Sequence, residues 1–129
     1  MARTRIREAQ ILLEQKEWSG AYYLAGYAVE CGLKACITRE FREYCMPDLQ
    51  LVKDSHTHDL TKLVNLADLK GSLSLQEHSD SVFAMNWTLT KDWNESSRYS
   101  VWTESEARAL HNAISQRDHG VLEWVKRHW

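Results

Sequence analysis

Pro47 is the only proline in the chain, and five glycines are its only other strong helix breakers. Across 129 residues so few breakers permit long helices, and the apolar residues recur at intervals of three and four, the helical period. Ile6, Ala9, Leu12 and Leu13 form one stripe on a first helix of about residues 3–16, and Trp18-Ser19-Gly20 interrupts it or joins it to a second helix of about 19–43. Residues 44–57, YCMPDLQLVKDSHT, hold Pro47 and a polar cluster, which suits a long connection. HDLTKLVNLADL then places Leu60, Leu63, Val64 and Ala67 on one face of a short third helix ending near Gly71.

Two later helix starts are predicted from capping boxes, in which a hydroxyl satisfies a free backbone N–H and a glutamate three residues on reaches back. The candidates are Ser74 with Glu77 and Thr103 with Glu106. The first predicts a helix to about residue 92 with Leu75, His78, Val82, Met85 and Leu89 inward; the second predicts one running almost to the end with Ala107, Leu110, Ile114, Val121 and Val125 inward. No repeat, low-complexity tract or strand-like alternation appears. The expected architecture is all-α, an up-down four-helix bundle with an additional short helix, forming a single domain over residues 1–129.

The formal net charge is −2, so no overall field draws the chain to nucleic acid or an anionic membrane, and any nucleic-acid contact must be a local patch. Cys31, Cys36 and Cys45 are an odd number without metal spacing, which fits buried thiols in a reducing compartment. The basic opening MARTRIREAQ runs into an amphipathic pattern and predicts no signal peptide. The stretch AYYLAGYAVECGLKACI, residues 21–37, is apolar but short of the roughly 20 residues a span needs, and Glu30 and Lys34 interrupt it. The expectation is a cytoplasmic protein with no membrane partner.

At 100° per residue, Ala21, Ala25, Ala28, Gly32 and Ala35 share one side of this second helix, while Tyr23, Tyr27, Glu30 and Lys34 share another. The small residues predict close packing against a neighbouring helix. Glu30 and Lys34 have the favoured i, i+4 order. They are either a surface ion pair worth a few tenths of a kcal/mol or the mark of a cleft, polar network or interface.

The motifs GYAVECGLKA, THDLTKL, RYS and a last helix carrying EARAL and EWV stand in an order that resembles the HEPN family, the higher eukaryote and prokaryote nucleotide-binding domains, from about Arg7 to Trp124. Glu30 and Lys34 match that family's EKALKA-like pair, His58-Asp59-Leu60 its HDL, and Arg98-Tyr99 its RYP-like turn, with Ser100 in place of proline. The resemblance implies a prokaryotic helical bundle, commonly a homodimer, working with a minimal nucleotidyltransferase partner in a two-component module of the toxin–antitoxin or defence type. Some members cut RNA without metal; others bind nucleotides or act as accessory proteins. The ligand-binding residues it implies are Glu30, Lys34, His58, Arg98 and Tyr99, with Lys34 and Arg98 on phosphate and the tyrosine stacking or accepting a modification.

Metal-free RNA cleavage needs a base for the 2′-OH proton, an acid for the leaving oxygen and a cation for the charge on phosphate. Catalytic members of the family carry an arginine followed four to six residues later by a histidine, a spacing this chain lacks: Arg108 stands three before His111, and Arg117 two before His119. Arg98 with His58, or Arg108 with His111, are the weak catalytic candidates. The leading expectation is therefore nucleotide or RNA binding, with a metal-independent endoribonuclease toxin and a non-catalytic homodimeric scaffold as alternatives. No metal is expected, since His56-x-His58 lacks further ligands at zinc spacing, and no cofactor. Trp87, Trp93, Trp102, Trp124 and Trp129 either fill the core and a dimer contact or offer stacking faces near Arg98.

Overall fold

A computed structural model describes the backbone of residues 1–44 and 49–129 and, within these, the side chains of all but 40–44, 49 and 51. The expectations for Cys45 and Pro47 fall outside the described residues. In chain order the elements are α1 (Ala2–Glu14), α2 (Trp18–Tyr44), α3 (Leu49–Asp54), α4 (Leu60–Leu66), α5 (Lys70–Ser79), α6 (Ser81–Lys91), a 3-10 helix (Glu95–Tyr99), α7 (Glu104–Ser115) and α8 (Val121–Lys126). The fold is an all-α bundle, with eight α-helices among the described residues where four long ones and a short one were expected.

The 27-residue α2 is the axis of the molecule, about 40 Å long at 1.5 Å per residue. It packs against α1, α4, α7, α8 and the 3-10 helix, so it is buried almost all round: Ala21, Ala25, Ala28, Val29 and Leu33 are inaccessible to solvent. Its small residues allow this, because an alanine or glycine lets a neighbour approach the backbone. At Gly32 an added Cβ would lie 3.0 Å from Val125 Cγ1. Ala35, expected on the same packed side, is exposed.

The connections explain where the predicted boundaries move. α1 ends in a Schellman motif, with Lys16 N–H donating to Leu13 O (3.1 Å) and Glu17 N–H to Leu12 O (2.8 Å). The left-handed residue is Lys16 (φ 62°) rather than a glycine. α4 ends the same way at Asp68 (φ 60°), with Leu69 N–H reaching Val64 O. The third helix thus stops before Gly71, which lies instead in the first turn of α5.

The helix expected from Ser74 to about 92 is two helices. Ser74 sits inside α5, and the working cap is Asp80, which has extended backbone (φ −142°, ψ 99°) and accepts a hydrogen bond from Phe83 N–H (3.0 Å). A break at this point resets the helical phase. Phe83, Trp87 and Thr90 turn inward, and Leu75, Val82, Met85 and Leu89, predicted to face the core together with His78, are exposed, Leu75 and Met85 by 74% and 73%. Phe83 and Trp87 win because large aromatics bury more apolar area than the aliphatics they displace; Phe83 packs against Trp124 with ring centroids 5.6 Å apart.

The Thr103–Glu106 capping box forms as expected, with Glu106 N–H donating to Thr103 Oγ1 (3.2 Å) and Thr103 N–H to Glu106 Oε1 (3.1 Å). The helix it starts ends at Ser115, and α8 resumes at Val121 after a turn whose Gly120 has no room for a side chain: an added Cβ would lie 2.2 Å from Gln116 O. Ala107, Leu110, Ile114, Val121 and Val125 are all buried, as predicted. Among the described residues no helix is long and apolar enough to cross a membrane.

Candidate functional site

Glu30 lies in the middle of α2 and is 2% exposed. A carboxylate so buried must find donors, because desolvation without partners costs several kcal/mol. Its Oε1 accepts from Lys34 Nζ at 2.9 Å, one turn along the same helix, and from His58 Nδ1 at 2.6 Å. Its Oε2 is buried and has no hydrogen-bond partner. The pair is therefore a buried polar network rather than a surface ion pair.

His58 reaches Glu30 because of the turn that starts α4. Asp59 caps that helix, its Oδ1 accepting from Lys62 N–H at 3.1 Å, and Thr57 Oγ1 accepts from Asp59 N–H at 3.2 Å. With both neighbours fixed, the imidazole between them is directed onto α2. Its other nitrogen, Nε2, lies 3.1 Å from Glu95 Oε2 in the first turn of the 3-10 helix. Both contacts are hydrogen bonds when the ring carries a proton on each nitrogen.

The 3-10 helix is held against α2 by Trp93, whose indole lies on the backbone at Gly26, where an added Cβ would be 2.3 Å from the ring. Trp93 also packs against Tyr23, and Tyr23 stacks on Tyr27 with centroids 5.9 Å apart. Asn94 caps the element through Ser96 N–H at 2.8 Å. The arrangement presents Arg98 and Tyr99 to solvent: the guanidinium carbon lies 4.9 Å from the Tyr99 ring centroid, and Tyr99 is 77% exposed. The neighbouring Tyr99 hydroxyl holds the Arg98 guanidinium still further on its charged side, against a smaller opposing effect of desolvation.

Glu30, Lys34 and His58, drawn from two of the three sequence motifs, are thus in direct contact. Arg98 and Tyr99 share the neighbouring 3-10 helix with Glu95 but make no hydrogen bond to His58 among the described contacts. Lys34 is paired with Glu30, whereas Arg98 has no carboxylate within ion-pair distance among the described residues. Glu95 was not singled out in the sequence; its one legible signal is its place three residues before Arg98.

The second catalytic candidate pair, Arg108 and His111, shows no hydrogen bond between its two members among the described contacts. Arg108 Nε donates to Glu104 Oε2 (2.8 Å) and its guanidinium sits 5.1 Å from the Trp18 ring centroid. His111 is half-buried beside Ser115, and burial pushes its imidazole below the usual histidine range, against a smaller opposing effect of its backbone hydrogen bond with Ile6. Of the tryptophans, Trp87, Trp93 and Trp124 are buried, and Trp102 stacks on Tyr22 with centroids 3.7 Å apart. The open aromatic face next to Arg98 is therefore Tyr99. Behind the cluster, burial lifts the Cys31 thiol above its ordinary range and Cys31 in turn lifts the Tyr27 phenol, so both are neutral near pH 7. Among the described residues no three His, Cys, Asp or Glu side chains are grouped so as to hold a metal ion.

The arrangement can therefore orient an imidazole, and it can hold an anion with Arg98 beside an exposed ring. Compared with protein-family models, with curated proteins and with solved structures, the chain finds no match.

Proposed function

We propose that this chain is a HEPN-type protein that binds a nucleotide or an RNA segment at the Glu30–His58–Arg98 surface, as a homodimer working with a nucleotidyltransferase-type partner. The observation that supports this reading is the contact between residues 28 positions apart, Glu30 and His58, at 2.6 Å, because it joins two of the motifs on which the resemblance rests. In this reading Glu30 orients His58, Arg98 takes the phosphate, and Tyr99 stacks on the base. A thermal-shift series with mononucleotides and short single-stranded RNAs tests it. A ligand present at about 100 times its Kd stabilises by about 2.7 kcal/mol. The shift should disappear in Arg98→Ala; a flat series would leave the scaffold reading.

A second reading has its own supporting observation. An imidazole with one nitrogen fixed by a buried carboxylate is half of an acid–base apparatus, and the nitrogen of His58 that would take the ribose 2′-OH proton faces an exposed glutamate able to swing away. In this reading the chain is a metal-independent endoribonuclease. Expression should then arrest growth and degrade RNA, cleavage should survive EDTA, and His58→Ala and Arg98→Ala should abolish both effects. Unaffected growth with intact RNA would exclude it.

A further inference from the structure

A second concave surface lies on a different side of α2 from the Glu30 cluster. It is a groove of about 650 Å³ between the start of α1, the second half of α2 and Trp129, within the size range of small-ligand sites. Arg3, Cys31, Ala35, Thr38, Arg39 and Trp129 line it, and no Asp or Glu side chain does among the described residues. Arg5, Arg108 and Lys126 are each paired with a glutamate. Arg3 and Arg39 have no such partner among the described residues. The Arg3 guanidinium carbon stands 5.6 Å from the Trp129 ring centroid, and Arg39 Nη1 donates to the His128 carbonyl at 3.4 Å. Each contact fixes one side of a guanidinium and leaves other N–H donors directed elsewhere.

The neighbouring groups bear out a positive field. The imidazole of His128, whose carbonyl Arg39 holds, is kept below the usual histidine range by burial first, then by the charges of Arg127 and Arg39. Its other neighbours are the Ser72 hydroxyl (3.4 Å from Nε2) and the Trp124 ring (5.1 Å between centroids), which bring no negative charge. Cys31 is uncharged at neutral pH because burial raises its thiol, and the Thr38 proton is committed to the Lys34 carbonyl at 3.0 Å. The Trp129 indole is seated on Gly32, where an added Cβ would lie 3.2 Å from Cζ3. With Gly32 beneath the ring and Arg3 over it, the edge of the indole and Ala35 form apolar surface next to two guanidiniums that have no carboxylate partner among the described residues.

We infer that this groove binds an aromatic phosphate monoester, with the phosphate held between Arg3 and Arg39 and the ring laid along Trp129 and Ala35. A guanidinium fork matches phosphate oxygens two at a time, and a lone anion would leave the apolar surface unused. The inference does not depend on the nucleotide reading of the Glu30 surface. Titration calorimetry on the full chain tests it, with phenyl phosphate, inorganic phosphate and phenol as probes. Phenyl phosphate should bind at least tenfold more tightly than inorganic phosphate, and phenol should not bind detectably. Arg3→Ala and Arg39→Ala should each weaken phenyl phosphate at least tenfold, and Arg39→Lys should recover part of the loss. In NMR the bound dianion should move the His128 titration to higher pH. Arg98→Ala separates the two surfaces: unchanged affinity keeps the ligand in the groove, and lost affinity moves it to the Glu30 cluster and overturns the inference. Equal binding of inorganic phosphate, or arginine variants that bind like the parent chain, would overturn it as well.

Discussion

Glu30 is surrounded unequally. It is 2% exposed, whereas the side chains of its partners Lys34 and His58 are 34% and 41% exposed. The carboxylate depends on its partners more than they depend on it, because either partner left alone can hydrate while the carboxylate cannot. The double substitution Lys34→Ala with His58→Ala should therefore cost about 2–4 kcal/mol in urea unfolding, the range for leaving a buried charge without partners. Adding Glu30→Gln to that background should recover a large part of the loss, since a neutral amide needs less compensation. A further loss instead of a recovery would mean that the carboxylate is hydrated and the network contributes little. The sequence made Glu30 and Lys34 legible, as the only two charges in an apolar stretch, and made His58 legible through its motif. It did not reveal Glu95, because that carboxylate reaches His58 through the seating of Trp93 on Gly26, a contact between residues 67 positions apart in the chain.

The elements show where local signals suffice and where they do not. α1 and α7 follow their sequence stripes, and at the start of α7 the helical period and the Thr103–Glu106 cap agree. Between residues 74 and 92 two caps compete, and Asp80 prevails over Ser74. Part of its advantage lies outside the segment: Asp80 Oδ2 also takes a hydrogen bond from His119 Nδ1 at 2.6 Å, from the turn before α8. No local pattern reports a partner 39 residues away. The His119 hydrogen bond, then the Phe83 backbone N–H, holds the Asp80 carboxyl below its ordinary 3.8. A carboxyl depressed in the folded state adds stability above its unfolded pKa and loses that contribution as pH falls through the folded one. Asn is also a good N-cap, so Asp80→Asn removes mainly the charge. The variant should be less stable than the parent at pH 7, and the gap in urea midpoint should close on acidification below the usual carboxylate range; a pH-independent gap would tie the loss to the cap itself. The two Schellman turns carry an opposite prediction. Left-handed φ costs a non-glycine residue about 1 kcal/mol, and Lys16 and Asp68 both adopt it. Lys16→Gly and Asp68→Gly should each raise stability by about 0.5–1 kcal/mol, read as a higher urea midpoint with an unchanged slope.

At the scale of the whole molecule, the displaced face of α6 bears on assembly. Val82, Met85 and Leu89 lie at i, i+3 and i+7 on one exposed face, and a shallow groove of about 590 Å³ runs beside Met85 and Leu89; Leu75 on α5 is exposed as well. Scattered exposed apolar residues are ordinary, but an aligned stripe bordered by polar positions marks a contact surface. Two α6 helices laid antiparallel about Met85 would place Val82 against Leu89 across a two-fold axis, an isologous contact in which the stripe covers itself. Stable interfaces bury about 1,200–2,000 Å², more than two helices of this length supply, so Leu75 should be covered too. The chain should therefore sediment as a dimer, with a Tm that rises with protein concentration. Met85→Glu with Leu89→Glu should yield a monomer of unchanged helicity whose Tm no longer depends on concentration. A variant that stays dimeric would move the contact to another face, and a parent chain that is monomeric at high concentration would remove the second copy as the occupant of this one.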